Sequence, residues 1–269
     1  MLYLVANLTP FDARGKVDLP RLRAHVLWLA AQGVDGFVPT GTTGEFLYLS
    51  DREREAVHHA VLDAAGASPV YPCTYDPSPS TCAWLTDAAR EQGASGILMP
   101  PPLYYRVDDA TVLRYYREIA DRARLPVLAY HNPKHLQTAI SPTLYGSLRK
   151  IDGLVGMKDS SGDIFRLRRL AAADPGSIWA GGDLILPEAR GVPGLAGFIS
   201  AAGNVWPSLC VRIWKKGEAQ LGEALTERVS KLQEAGGLRA MKALLGMKGR
   251  MPLPESQAPQ LEGLTAAES

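Results

Sequence analysis

Short apolar runs alternate with amphipathic stretches along most of the chain. The apolar runs have the length of buried strands, and the stretches between them place apolar residues at helical spacing. We predict eight strands, at residues 3–8, 35–40, 69–74, 95–99, 126–130, 153–158, 177–180 and 196–200. We predict six helices between them, at residues 18–32, 51–65, 79–92, 109–123, 141–150 and 162–173. Such alternation of strand and helix is typical of an α/β protein with a parallel sheet.

An internal repeat sets the spacing of these units. The sequence Gln32–Pro39 recurs in similar form at Gln92–Pro100, 60 residues later, as expected of two successive βα units of about 30 residues each. Helix starts are also marked: Ser50 precedes Glu53 by three residues, and Ser141 precedes a proline. Eight such units predict a (β/α)8 TIM barrel. An open doubly wound sheet is the alternative, but no Gly-x-Gly-x-x-Gly follows the first strand.

The pattern becomes wholly helical after the eighth strand. Helical periodicity is found at residues 206–216, 218–235 and 238–247. We therefore expect residues 1–205 to form the barrel and to contain the catalytic site. Residues 206–269 are expected to form a C-terminal helical extension that packs on the barrel and ends in a shortened, polar tail.

Composition and charge narrow the function classes. Hydrophobic residues make up 46% and charged residues 21% of the chain, and the net charge is +1, all typical of a globular domain. This balance disfavours a nucleic-acid partner, and no apolar run reaches the roughly 20 residues of a membrane-spanning helix. The three cysteines form no Cys-x-x-Cys pair and the N-terminus has no basic leader, so we expect a cytoplasmic protein. Pro133 lies between His131 and His135 and prevents helical metal-ligand spacing, so we expect no metal site.

Lys158 is the most informative candidate for chemistry. It follows the apolar run Leu154–Met157 without a break, so alternation places it on the same strand face as Leu154 and Gly156. In a barrel one strand face is the interior, and burial favours the neutral lysine amine, which is a nucleophile toward carbonyl carbons. The position therefore predicts a Schiff-base enzyme. The structural alternative is a lysine that extends from a strand end into solvent.

Two further features share the carboxyl ends of the strands. Tyr130 ends the neighbouring strand, so its phenol is expected near the lysine amine, where it can transfer protons. An aromatic lid on the rim is the alternative for this tyrosine. The Gly41–Gly44 turn offers the hydroxyls of Thr42 and Thr43 together with backbone N–H groups, which suits a carboxylate. The alternative is a tight strand-to-helix turn that needs two flexible glycines.

Several motifs taken together resemble a known family. They are Thr9-Pro10-Phe11, Gly41 to Glu45, Tyr104-Tyr105, Tyr130-x-Asn132-Pro133, Gly156-x-Lys158-Asp159-Ser160-Ser161-Gly162-Asp163, Gly182-Asp183, and Gly197-x-Ile199-Ser200 with Asn204. Over about residues 3–207 the chain resembles the dihydrodipicolinate synthase and N-acetylneuraminate lyase family of pyruvate-dependent class I aldolases. The resemblance implies a lyase that works through a lysine imine, with no metal or organic cofactor.

The resemblance also implies a role for the matching residues. Lys158 would form the imine with the ketone of pyruvate or of a longer 2-oxo acid, and Tyr130 would be the acid–base residue. Thr42 would relay protons between Tyr130 and a second tyrosine, which would reach into the site from a neighbouring subunit. Tyr104 is chosen for that second tyrosine over Tyr105.

The remaining implied contacts concern the substrate. The Thr43 hydroxyl and the backbone around it would hold the carboxylate, and the Ile199 carbonyl would face the pyruvate. Gly182 and His135 complete the predicted substrate-binding residues. His135 stands where dihydrodipicolinate synthases have a carboxylate-binding arginine, five residues after the tyrosine, so the bidentate guanidinium is absent.

The leading hypothesis is thus a Schiff-base aldolase or lyase that cleaves or forms a 2-oxo acid with pyruvate as one component. The alternatives are dihydrodipicolinate synthase itself, a dehydratase acting on a 2-keto-3-deoxy sugar acid, and a non-catalytic barrel that binds a 2-oxo acid. If Tyr104 completes a neighbour's site, the protein is at least a homodimer, and the resemblance suggests a homotetramer.

Overall fold

Parallel strands curl into a barrel, and their carboxyl ends form one rim. The computed structural model describes residues 1–250. The strands in this part of the chain are β1 (Leu2–Val5), β2 (Gly36–Phe37), β3 (Ile97–Met99), β4 (Val127–His131), β5 (Leu154–Asp159), β6 (Ile178–Ala180) and β7 (Leu195–Ser200). Their order is β2-β1-β7-β6-β5-β4-β3, and every pair is parallel. The predicted α/β barrel is confirmed.

Residues 70–73 close the ring between β2 and β3. Val70 forms a parallel bridge to β2, and Cys73 forms one to β3. The strand predicted for this segment is therefore reduced to two isolated bridges. Pro69 and Pro72 have no N–H to donate, so a continuous ladder cannot form here.

Helices cover the outside of the barrel. They are α1 (Leu19–Ala31), α2 (Asp51–Ala65), α3 (Pro79–Glu91), α4 (Asp109–Ala123), α5 (Pro142–Leu148), α6 (Ile164–Ala173) and α7 (Leu186–Ala189). The capping box predicted at the start of α2 is present, because Ser50 and Glu53 each bond the other's backbone N–H. Ser141 caps α5 by a single bond, in which its hydroxyl oxygen accepts the Leu144 N–H. The one-turn helix α7 is not among the predicted helices, since four residues are too few for a periodic pattern.

Three further helices form the C-terminal extension. They are α8 (Pro207–Val211), α9 (Gly222–Glu234) and α10 (Leu238–Leu244). Residues 212–216 form a wider π turn, which shortens α8 relative to the predicted helix. The buried Trp214 donates from Nε1 to the Leu2 carbonyl on β1, at 3.1 Å. Arg21 on α1 donates to the Leu245 carbonyl at 2.7 Å, so the extension contacts the barrel at both of its ends. The predicted polar tail lies outside the described residues apart from its first residue.

Close strand packing depends on a glycine in β5. A Cβ atom at Gly156 would lie 2.1 Å from the Ser177 carbonyl oxygen, far inside van der Waals contact. Only glycine fits there, and it precedes the candidate nucleophile by two residues. Within the described part of the chain, every helix is too short or too polar to cross a lipid bilayer.

Candidate active site

Lys158 and Tyr130 lie side by side at the carboxyl ends of β5 and β4. The two residues are register partners on neighbouring parallel strands, so their side chains project to the same face of the sheet. Each residue is only 6% exposed. The Lys158 Nζ lies 4.8 Å from the centre of the Tyr130 ring. The amine is thus inside the barrel mouth and against the phenol, as the strand pattern predicts.

Asn132 completes this pair from the loop that follows β4. Its side-chain Nδ2 donates to the Tyr130 phenol oxygen at 2.7 Å, and the amide is buried. An amide nitrogen can only donate, so the phenol accepts this bond and keeps its own proton available for another partner. Sequence reasoning assigned Asn132 no separate role, because the direction of a side chain in an irregular loop has no periodic signal.

Asp183 places a half-buried carboxylate near the amine. It follows β6 and accepts hydrogen bonds from the Ser200 hydroxyl (2.5 Å) and from the Ala202 backbone N–H (3.0 Å). Burial raises the pKa of Asp183, while these donors and the charge of Lys158 act in the opposite direction. The carboxylate fixes the loop after β7 and places a negative charge within electrostatic reach of Lys158. The prediction names its neighbour Gly182 instead, which adopts a φ of 93° and provides the turn.

Gly181, in the loop after β6, lies close to the aliphatic part of the Lys158 side chain. A Cβ atom at Gly181 would lie 3.2 Å from the Lys158 Cε and 2.4 Å from the Ser160 hydroxyl. The loop after β6 therefore packs directly against the lysine side chain. A methyl group at position 181 would therefore displace the Lys158 side chain or the loop.

The Thr42–Thr43 turn follows β2 on the same rim. Its backbone is tightly folded, with a hydrogen bond from the Gly44 N–H to the Gly41 carbonyl at 3.0 Å. Both threonines are half-buried. The turn thus lies between the barrel interior and solvent, and turns of this kind offer hydroxyl and backbone N–H donors suited to an anion.

A second set of polar groups lies on the opposite face of β4 and β5. Asp159, fully buried, accepts from Arg166 Nε at 2.6 Å, and the same guanidinium donates to the Ile140 carbonyl at 2.5 Å. His131 accepts the Ile140 N–H on its Nδ1 at 3.1 Å. Burial lowers the pKa of His131, so the ring is neutral and able to accept. These bonds hold the loop after β4 against the start of α6.

The remaining predicted residues occupy different positions on the rim. Ile199 is buried in β7, opposite Leu4 of β1. His135 is exposed on the loop after β4, and its backbone N–H donates to the Asn132 carbonyl at 3.1 Å.

Tyr104 lies away from the buried pair, on the surface. Its side chain is 82% exposed, and its ring packs edge-on against Tyr105, with 4.9 Å between the ring centres. Its φ of 75° is in the left-handed region, which is unfavourable for a non-glycine residue. Residues held in such unfavourable backbone conformations cluster at functional sites.

All three cysteines are buried and unpaired. Within residues 1–250, the His, Cys, Asp and Glu side chains form no group of three or more that is arranged to hold a metal ion.

A buried lysine at the carboxyl ends of barrel strands is typical of the class I aldolases, and comparison with known proteins supports this class. The dihydrodipicolinate synthetase family matches residues 2–253. A 4-hydroxy-tetrahydrodipicolinate synthase of Methanospirillum hungatei is 31% identical over 267 residues, which cover 97% of this chain and 89% of that protein.

Two solved structures show the same architecture. The dihydrodipicolinate synthase of Acinetobacter baumannii, solved in complex with pyruvate, has a TM-score of 0.86 at 26% identity, covering 97% of each chain. The N-acetylneuraminate lyase of Mycoplasma synoviae has a TM-score of 0.85 at 26% identity, covering 96% of this chain and 93% of that one. The chain therefore belongs to the dihydrodipicolinate synthetase family. It is an enzyme of the aldolase and lyase type, as the sequence predicts.

Proposed function

We propose that Lys158 forms a covalent imine with pyruvate and that the enzyme makes or breaks a carbon–carbon bond of a 2-oxo acid through it. The observation that carries this proposal is the buried Lys158 amine, 4.8 Å from the centre of the Tyr130 ring. A lysine amine excluded from bulk water beside a proton-transferring phenol meets the requirements of a Schiff-base nucleophile. The Acinetobacter baumannii relative, which was solved with pyruvate, supports the choice of 2-oxo acid.

The chemistry begins at the ketone carbon of pyruvate. The neutral amine adds to this carbon, and the carbonyl oxygen takes up a proton to give a carbinolamine. Water then leaves as the protonated imine forms, with Tyr130 supplying and removing the protons. The iminium is an electron sink, so C3 loses a proton to give an enamine that attacks an aldehyde. The reverse sequence cleaves a longer 2-oxo acid, and neither direction requires a metal or an organic cofactor.

The rim residues would bind and orient the substrate. Thr43 and the backbone of its turn hold the carboxylate, and Thr42 passes protons to and from Tyr130. The Ile199 carbonyl borders the pyruvate, while Gly182 and His135 border the aldehyde component. Support for this arrangement comes from the position of these residues on loops or strand ends of a single barrel rim.

Tyr104 is proposed to complete the site of a second subunit. Its exposed ring and left-handed backbone support a role outside its own subunit. The assembly is then a homodimer at minimum, and a homotetramer built from two such dimers is compatible with the family resemblance. The three buried free thiols support a reducing, cytoplasmic location.

Dihydrodipicolinate synthase activity is the second candidate, favoured by the Methanospirillum hungatei relative that bears this name. Against it stands His135 at the position predicted to bind the second carboxylate, where a planar bidentate donor is absent. Turnover of aspartate semialdehyde with pyruvate distinguishes this candidate. Release of a dehydrated 2-oxo acid from a 2-keto-3-deoxy sugar acid would instead identify a dehydratase.

Borohydride reduction in the presence of pyruvate tests the proposal directly. Reduction converts the imine to a stable secondary amine, and peptide mass spectrometry should locate it on Lys158. The Lys158→Ala variant should give no adduct, whereas Lys150→Ala, which removes an exposed lysine, should label like the native enzyme. Absence of any adduct in the native protein would favour a non-catalytic barrel, and an adduct on another lysine would refute the assignment. Pyruvate release from a panel of 2-oxo acids then identifies the aldehyde component.

A further inference from the structure

The Thr42–Thr43 turn is bordered on each side by a non-glycine residue in the left-handed region. Thr40 has a φ of 52° and Glu45 has a φ of 57°. Both side chains are almost completely buried. Left-handed backbone at a residue with a Cβ atom persists only where its surroundings impose it. The side chains of Thr40 and Glu45 are therefore expected to anchor the turn.

Thr40, on the N-terminal side of the turn, is anchored by His58 of α2. Thr40 Oγ1 donates to the Cys73 carbonyl at 2.9 Å and lies 2.6 Å from His58 Nε2. Since the threonine proton is used on the carbonyl, Nε2 must carry the imidazole proton and donate. Burial lowers the pKa of His58 to about 3, so the ring is neutral. Thr40 is thereby held between α2 and the bridge segment 70–73.

Glu45, on the C-terminal side of the turn, is anchored by Lys242 of α10, in the C-terminal extension. Its ammonium group forms a buried ion pair with Glu45 Oε1. It also donates to the Thr9 carbonyl at 2.6 Å and lies 4.6 Å from the centre of the Phe11 ring. Thr9 in turn donates from its hydroxyl to the Gly44 carbonyl at 2.9 Å. Lys242 is thus bonded directly to Glu45 and is linked to the Gly44 carbonyl through Thr9.

The chain beyond α10 adds a further contact to the same carboxylate. The Arg250 backbone N–H donates to Glu45 Oε2 at 2.7 Å. Close approach is possible because Gly249 precedes it: a Cβ atom there would lie 3.0 Å from Glu45 Oε1. Both carboxylate oxygens of Glu45 are therefore held by the C-terminal extension, whose nearest contributing residue is almost 200 positions away.

From these contacts we propose that Lys242 is a positioning residue for the Thr42–Thr43 turn, so that the C-terminal extension sets the affinity for the substrate carboxylate. Lys242 acts on Glu45, which fixes the left-handed end of the turn and with it the direction of the Thr43 backbone and hydroxyl. This inference rests on the proposed function, in which that turn binds the carboxylate of pyruvate. It predicts an effect on pyruvate affinity and an unchanged yield of trapped imine at saturating pyruvate, because Lys242 contacts Glu45, Thr9 and Phe11 and leaves the Lys158 amine in place.

The test compares Lys242→Met with Lys248→Met, a matched control that removes an exposed lysine from the same segment. Borohydride trapping is measured across pyruvate concentrations. The half-saturating pyruvate concentration should rise about tenfold in Lys242→Met, since the strained turn loses its anchor. The adduct yield at saturating pyruvate should match that of the control. Hydrogen exchange of peptides covering residues 40–46 should also be faster in Lys242→Met alone.

A double variant keeps the test decisive if Lys242→Met folds poorly. Removing only the lysine leaves the Glu45 carboxylate buried without its ammonium partner, which is strongly destabilising. Glu45→Gln with Lys242→Met removes both charges and should show the same rise in half-saturating pyruvate and the same faster exchange. Unchanged affinity and unchanged exchange would overturn the inference. If the native enzyme gave no adduct, the proposed function would fail, and the exchange experiment would still decide whether Lys242 holds the turn.

Discussion

The Asn132 side-chain amide donates a 2.7 Å hydrogen bond to the phenol oxygen of Tyr130, the residue that faces the Lys158 amine. This bond orients the phenol and occupies one of its two acceptor sites. In the proposed mechanism this bond would also stabilise the phenol oxygen while Tyr130 transfers its proton. Asn132 is therefore expected to act through Tyr130.

Replacing Asn132 with leucine should lower kcat about tenfold, the effect expected when a hydrogen bond to a charged group is lost. KM for pyruvate should change little, because the proposed carboxylate contacts, at Thr42 and Thr43, lie on another loop. Steady-state kinetics of the variant checks both values. Gln137→Leu alters an exposed amide on the same loop and is the control. A change confined to KM would show that Asn132 contacts the substrate and does not position the phenol.

Tyr130→Phe should lower kcat by about 10²- to 10⁴-fold, the usual contribution of a positioned acid–base group. The ring that packs against the lysine amine is retained, so the substitution isolates the hydroxyl. Slow borohydride trapping on Lys158 should persist, because the nucleophile is intact. Tyr115→Phe removes a phenol that bonds the Pro100 carbonyl and is the matched control. Full activity of Tyr130→Phe would assign proton transfer to another residue.

Two inactive variants of the enzyme should restore activity when mixed. In a dimer formed from Lys158→Ala and Tyr104→Phe chains, one site combines the native lysine of one chain with the native tyrosine of the other. Unfolding and refolding an equal mixture should therefore restore about a quarter of the native sites. Activity before and after mixing is the measurement, with Tyr105→Phe in place of Tyr104→Phe as the control. No recovery would place Tyr104 in its own chain's site or outside catalysis.

Stability should fall as the pH is lowered below neutrality, and His58 should account for much of the fall. Its pKa is about 3 in the folded protein, against an ordinary value of 6.5. Between these values the unfolded chain binds a proton that the folded protein excludes, so stability is complete above pH 6.5 and is lost as the pH falls. The loss is about 1.4 kcal/mol per pH unit, or about 2 kcal/mol at pH 5.

Urea unfolding at pH 7, 6 and 5 measures this dependence. His58→Gln keeps a donor for Thr40 without a titrating ring, so its stability should vary less with pH than that of the native protein. Burial also lowers the pKa values of His25 and His131, so a reduced slope should remain. The neighbouring His59 is exposed, and His59→Gln should behave like the native protein. Equal slopes for His58→Gln and the native protein would contradict the assignment.

The sequence was sufficient to predict that Lys158 and Tyr130 lie side by side, but not which loop residues surround them. Alternation along β5 and the adjacency of successive strands place Lys158 beside Tyr130, because strand geometry has a fixed period. The roles of Asn132 and Glu45 depend instead on loop backbone and on contacts between distant segments. A left-handed glutamate resembles no turn signal, since glycine normally marks such positions. Its partner Lys242 lies on a helix whose pattern predicts only packing.

The pairing of β1 with β7 has a consequence for the order of assembly. The first strand of the chain has one neighbour close in sequence and another almost at the end of the barrel, and Leu8 is bonded to Asn204, 196 residues away. Contacts of such long separation form late and slow the folding reaction. During synthesis, β4 and β5, which carry Tyr130 and Lys158, leave the ribosome before β7, so the barrel cannot yet close. Until β7 is available, the edge of β1 that pairs with it in the folded protein has no strand partner, and an unpaired strand edge of this kind promotes association with other chains.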